Sequence, residues 1–285
     1  MKEWVISVST IAFRGFDFPT IMEAFADIGI KFVEFAFIKG YTKDLTEAHF
    51  TSSRAHFLRQ LLEAHDLKTI ALSAHMDLGQ ADAVDAFKSR MDFAKELGVE
   101  IIISNSSIQN RRDAFFRNMD QIVRYAEAID IVIGLENPGD GRENLIGCGA
   151  DGEMIVKEIN SPRVQLNYDF CNTFSYSKGS ILPEEDMHHA ARHSVYYHLK
   201  DMQPDEDGWI FPAIGKGVIN YREILAFLRN QSTPIPIGLE LPLAIRRDKA
   251  YNPGEKAVAP NLAEIRTIVK ESFEYTRRQL PGEAG

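Results

Sequence analysis

Residues 95–104 read KELGVEIIIS, and they repeat in chemistry what residues 26–35, ADIGIKFVEF, do earlier in the chain. In each, a helical pattern of charged and apolar residues runs into one glycine, and β-branched or aromatic residues follow at once. Glycine accepts the left-handed conformation that closes a helix. A continuous apolar run behind it suits a strand covered on both faces. The join predicts a helix, a tight turn and a buried strand, used at least twice.

Working outward, strand-like runs recur at VISVST (5–10), FVEFAF (32–37), TIALSAH (69–75), VEIIISN (99–105), IVIGLE (131–136), VQLNYD (164–169), SVYYHL (194–199) and IGLELP (237–242). Between them lie amphipathic stretches such as FPTIMEAFADIG, AHFLRQLLEAHDL, AVDAFKSRMDFAKELG, RNMDQIVRYAEAI and YREILAFLRNQ, with apolar residues at i, i+3, i+4 and i+7. Strands alternating with helices point to a parallel sheet, and eight strands can close a (β/α)8 TIM barrel. The alternative, an open doubly wound sheet, is weakened because no Gly-rich phosphate fingerprint follows the first run. No Pro/Gly/Ser linker or charge block divides the 285 residues, so residues 1–285 are expected to form one domain.

A hydrophobic content of 45% with 26% charged residues describes an ordinary globular chain. A net charge of −9 repels phosphate backbones and argues against nucleic acid or an anionic membrane as the main partner. The start, MKEWVISVST, lacks the apolar core and cleavage site of a secretory signal. No apolar run approaches the roughly 20 residues of a membrane span. A cytoplasmic location is expected, with Cys148 and Cys171 as free thiols. A homo-oligomer is left open.

The fifth run ends on an acid. Glu136 follows IDIVIGL and precedes a proline and glycines, and burying an ionised carboxylate there costs several kcal/mol or more unless it is paired. One exposed end with one hydrogen bond would explain a single case. Other runs end likewise: Glu34 lies inside the second, His75 ends the third, Asn105 the fourth, Asp169 the sixth, His198 stands near the end of the seventh and Glu240 of the eighth. A closed barrel brings the last four of these strand ends to one rim, where barrel chemistry gathers. Three carboxylates converging in a dry pocket raise one another's pKa unless a cation sits among them. Oxygen-rich donors with one imidazole suit Mn2+, Mg2+ or Co2+, with Zn2+ or Fe2+ also admitted. Taken alone, Asp169 reads as a turn residue and His198 as a satisfied core histidine; the coincidence of the four favours a metal site.

The segments GLENPGDG, LNYDFCN, YYHLKDM, AIGKGVINYREIL and IGLELP resemble the xylose isomerase-like TIM-barrel superfamily of sugar and sugar-phosphate isomerases and epimerases, and HLKD followed by GKGVINY is the most specific part. The resemblance extends over nearly the whole chain. It implies one divalent metal bound by Glu136, Asp169, His198 and Glu240, with Glu136 and Glu240 also moving the proton. His75 stands where the family often places a residue that contacts the substrate or its leaving hydroxyl. One departure is visible. Several epimerases of the family carry DxxH after the sixth strand, whereas this chain has Asp169, Phe170, Cys171 and Asn172, and Asn172 can bond a hydroxyl but cannot carry a proton.

The expected reaction is proton abstraction next to a carbonyl through an enediolate, on a small carbohydrate. The alternative is a lyase or dehydratase acting on a keto-sugar, inosose or 3-oxo-glycoside. Candidate substrate contacts are His75, Asn105, Asn172, Lys200 and Arg246. On a regular strand Lys200 would point away from the rim, which favours a structural ion pair over substrate. Arg246 reads either as a contact to a substrate oxygen or anion, or as a solvated surface residue. An abasic-site endonuclease needs three zinc ions and many histidines, and this acidic chain has eight histidines in all. A non-catalytic sugar-binding barrel would be favoured if one of the four ligands were missing, and none is. The loops AFIKGYTKDL, MDLGQAD and QPDEDGWIFPAIGKG are expected to set specificity.

Overall fold

A computed structural model describes residues 3–38, 41–42, 44–280 and 282. Lys39, Gly40 and Lys43 of the loop AFIKGYTKDL, and Met1 and Lys2 of the starting stretch, lie outside the described residues.

The two joins behave as their sequences predict. Gly29 and Gly98 close their helices with φ of 87° and 89°, and each cap N–H turns back to carbonyls of the last turn. Asp130 and Asn160 close two further helices in the same left-handed region without glycine, their short polar side chains tolerating it. Helix-to-strand joins of this kind set the repeating unit.

The strands are β1 (Ile6–Ser9), β2 (Phe32–Ala36), β3 (Ala71–Ser73), β4 (Ile101–Asn105), β5 (Val132–Glu136), β6 (Val164–Asp169), β7 (Ser194–Leu199), β8 (Gln203–Asp205), β9 (Gly208–Ile210), β10 (Ile237–Leu239), β11 (Ile245–Asp248) and β12 (Pro253–Glu255). The α-helices are α1 (Phe18–Ile28), α2 (Ser52–Ala64), α3 (Ala83–Leu97), α4 (Arg112–Ile129), α5 (Gly149–Ile159), α6 (Phe170–Tyr176), α7 (Pro183–Ala190), α8 (Tyr221–Asn230) and α9 (Leu262–Gln279). Strands β1 to β7 and β10 form a closed parallel barrel in the order β1-β10-β7-β6-β5-β4-β3-β2, a (β/α)8 TIM barrel built on the eight runs read from the sequence. The apolar faces of the helices pack against it in one extensive core that includes Phe25, Leu58, Phe87, Phe115 and Val269. Among the described residues no helix is long and apolar enough to cross a membrane.

The C-terminal mouth carries something the periodicity did not predict. Two loops, 203–210 and 245–255, pair antiparallel into a four-stranded sheet, β12-β11-β9-β8, which walls one side of the mouth. Strand side chains alternate, so neighbours on β11 face opposite ways.

Candidate metal centre

Each of the four rim residues is held by the strand end that carries it. Glu136 closes β5 and Asp169 closes β6. His198 stands beside Asp169 in the β6–β7 register. Glu240 follows β10 directly, and its N–H donates to the Leu199 carbonyl at 3.0 Å. Asn137 locks the first two ends together: its Oδ1 accepts from the Asp169 N–H at 2.9 Å, and its Nδ2 donates to the Asp169 carbonyl at 2.9 Å. All four side chains are buried, and one ligand atom from each lies within 4.8 Å of the others. These residues could hold one metal ion.

The donor chemistry fits that group. Glu136 Oε2 and Asp169 Oδ2 are buried without a hydrogen bond among the described residues, and burying carboxylate oxygens is costly unless cationic groups face them. Basic side chains stand beside them. His75 Nε2 is 3.0 Å from Glu136 Oε2, and Lys200 Nζ is 2.6 Å from Asp169 Oδ2 and in contact with Glu240 Oε2. His198 turns Nδ1 towards Glu136 Oε2 at 3.4 Å and Glu240 Oε1 at 3.9 Å, with Asn167 Nδ2 3.0 Å away. On its other side Nε2 meets Glu34 Oε2 at 3.0 Å, and Glu34 also accepts from Ser73 Oγ at 2.9 Å. A carboxylate behind an imidazole fixes the tautomer and aims the other nitrogen, as in many metal sites.

The protein's own charges pull the acids apart. Burial pushes the Glu136 carboxyl up, but His75 and His198 outweigh it and hold it well below the usual range. For Asp169, burial dominates; Lys200 opposes it, Glu136 and Glu240 reinforce it, and the carboxyl rises to about 7. Burial disfavours the His198 cation, yet Glu34, Glu240 and Glu136 more than compensate and raise its pKa.

A cavity of about 420 Å3 lies over the four residues, lined among others by Tyr41, His75, Asn105, Asn172, Lys200 and Arg247. His75, Asn105 and Arg142 also border an adjoining hollow of about 900 Å3 over the ends of β3 and β4. Of the substrate contacts expected from sequence, His75, Asn105, Asn172 and Lys200 are brought to the cavity. Asn172 Nδ2 donates to Glu136 Oε1 at 2.9 Å.

Two expectations need correction. Lys200 does not point away: β7 ends at Leu199, and the Tyr221 hydroxyl bonds both the N–H and the carbonyl of Lys200, so its side chain turns into the mouth. Its ion pair is real, but it is made with Asp169 and Glu240 at the rim. Arg246 leaves the cavity, pairing with Asp205 at 2.9 Å and Asp207 at 3.1 Å on the facing hairpin. Its neighbour Arg247 takes the inward position. Sequence reading named neither Arg247, Asn137 nor Tyr41 and gave Glu34 no role. Only Glu34, an acid inside an apolar run, carried a signal.

Residues 22–268 match the family described as xylose isomerase-like TIM barrel. Comparison with curated proteins gives no match. Among solved structures, similar folds include D-psicose 3-epimerase with D-tagatose from Clostridium cellulolyticum H10, with a TM-score of 0.74, 14% identity and 100% of both chains covered. A xylose isomerase-like TIM barrel protein from Mycobacterium smegmatis in complex with magnesium gives 0.73 at 15% identity over 98% of each chain. The probable 3-DHS dehydratase of petrobactin synthesis from Bacillus anthracis gives 0.67 at 15% identity, covering 96% of this chain and 98% of that one. At such identities the likeness speaks for the fold, and the family match, spanning barrel strands β2 to β7 and β10 and the rim quartet, completes it: the chain belongs to the xylose isomerase-like TIM barrel family.

Proposed function

We propose that this chain is a divalent-metal-dependent isomerase or epimerase of a sugar or sugar phosphate. The observation that carries the reading is the buried quartet Glu136, Asp169, His198 and Glu240 under an open cavity. Mn2+, Mg2+ and Co2+ best suit three carboxylates and one imidazole. Such an ion, when bound, polarises a carbonyl and its neighbouring hydroxyl and spreads the charge that develops as the α-proton leaves.

The chain's own residues hold and move the proton. Asn172 anchors Glu136 through Oε1, and Lys200 anchors Glu240 through Oε2. Each glutamate thus keeps one oxygen fixed and one turned to its neighbours at the rim. One takes the proton; the other returns it, to the opposite face of the same carbon for epimerisation or to the next carbon for isomerisation. His75, Asn105, Asn172 and Lys200 are assigned to substrate oxygens.

The adjoining hollow supports a second reading, a lyase or dehydratase on a keto-sugar, inosose or 3-oxo-glycoside. It offers room for a leaving group beside His75. Incubation in D2O with metal and a panel of ketoses, 3-oxo-sugars and inososes tests both. Deuterium should enter a carbon next to a carbonyl, with an epimer or aldose as product; an unsaturated or deglycosylated product would transfer the assignment to the lyase. Glu136→Gln and Glu240→Gln should each lower exchange by about 100-fold or more in a folded protein. Near-normal exchange in Glu240→Gln would refute the two-glutamate scheme.

A further inference from the structure

Among the described residues, the charged side chains around the 420 Å3 cavity are matched with one exception. Lys200 meets Asp169 and Glu240, Arg142 meets Asp140, Glu255 meets Arg14, and His75 meets Glu136. Arg247 has no acidic partner among the described residues. It is only 5% exposed, its Nε is buried without a hydrogen bond among the described residues, and its Nη1 donates to the Tyr251 carbonyl at 2.9 Å. A guanidinium desolvated to this degree without a counter-charge is unfavourable, and one backbone carbonyl does not neutralise it.

The surroundings direct that charge inward. The alternation on β11 sends Arg246 out to Asp205 and Asp207 and Arg247 in to the cavity. Gly139 keeps the approach open: a Cβ there would stand 2.5 Å from Asn172 Oδ1 and 3.0 Å from Arg247 Nη2. Arg247 therefore reaches the same corner as Asn172, which bonds the rim glutamate Glu136.

We propose that Arg247 binds an anionic group on the substrate, so that the enzyme acts on a phosphorylated or carboxylated sugar rather than a neutral one. The guanidinium fork matches either oxyanion, since both offer paired oxygens at the right spacing. The substrate's anion supplies the charge that the protein withholds, and it orients the carbonyl end over the four rim residues. The inference rests on the sugar-transforming reading above for the substrate's identity and on Arg247 alone for its charge.

Calorimetric titration of the metal-loaded full chain with D-fructose, D-fructose 6-phosphate, D-glucuronate and inorganic phosphate tests it. At least one of the two anionic sugars should bind about ten-fold or more tighter than D-fructose, the worth of one charge-assisted contact. Which of the two gains identifies the oxyanion. Arg247→Gln should erase the preference and weaken inorganic phosphate, and Arg247→Lys, which keeps the charge but not the fork, should retain part of it. Equal affinity for D-fructose and both anionic sugars in the unmodified protein, or a preference that survives in Arg247→Gln, would overturn the proposal. Should Arg247→Gln fail to fold, Arg247→Lys decides, a full ten-fold preference there counting against the fork. Deuterium exchange separates the two readings. Rapid exchange on D-fructose that is indifferent to Arg247→Gln keeps the reaction and removes the anion site; anion preference without exchange on any sugar does the reverse.

Discussion

Glu34 is fully buried, and it stays charged because His198 and Ser73 face it. Burial raises its carboxyl, and the His198 charge and hydrogen bond, with Ser73 and Tyr196, bring it below the ordinary value. Its work is to aim His198 Nδ1, so Glu34→Gln should lower affinity for Mn2+ by about 10- to 100-fold while the fold persists. Titration of the chelated protein checks this, and an unchanged affinity would remove Glu34 from the centre. Asp169 gives the site a pH dependence. Its folded pKa, about 7, lies above the 3.8 of an unperturbed aspartate, so the neutral form is the one the fold favours. In chelated protein that contribution is fully present below pH 4 and is lost as pH rises to 7. Metal needs the charged form. Apparent affinity should therefore weaken by up to about ten-fold per pH unit below 7 and be indifferent to this group above it. Calorimetry at several pH values reads the slope, and a flat profile from pH 5 to 8 would contradict it.

Among the elements, the turn after β7 shows why HLKD and GKGVINY travel together. Asp201 accepts four backbone N–H groups, from Met202 at 2.9 Å, Gly215 at 3.0 Å, Gly217 at 2.8 Å and Ile219 at 3.2 Å. A Cβ at Gly217 would collide with Asp201 Oδ1 and the Met202 carbonyl, and Gly215 has φ of 84°. The clasp holds the residue after Lys200, and thereby the lysine that reaches Asp169 and Glu240. Asp201→Ala strands those donors, so a loss of about 2–4 kcal/mol is expected in urea unfolding, with weaker metal uptake than the stability loss alone explains. In the sequence this pairing was visible as a motif but not as a mechanism. The mouth sheet was not visible at all. Its strands are short, QPD and GWI against IRRD and PGE, with Pro, Gly and Asp where alternation would be expected, and they pair across the chain from one loop to another. Missing that sheet is what put Arg246 rather than Arg247 at the cavity.

For the whole molecule, the barrel was legible because it is assembled from local units of helix and buried strand, with a left-handed cap closing α1, α3, α4 and α5. The four rim residues were legible for the same reason, since each lies at or beside the C-terminal end of its own strand. Their supporting partners were not, because Glu34 and His198 lie 164 residues apart and meet only through closure. That closure has a kinetic consequence. The ring shuts when β10, late in the chain, pairs with β1 at its start, in the register Ile6 with Ile237 and Val8 with Leu239. Long-range pairing is slow, because the entropy of closing the loop is lost before the contacts form. Glu240 joins its three companions only with that last strand, and His198 gains Glu34 only across the seam. Competence to capture Mn2+ should consequently emerge with the slowest refolding phase, long after helical circular dichroism returns; capture that keeps pace with helix formation would mean that the rim can assemble on an unclosed barrel.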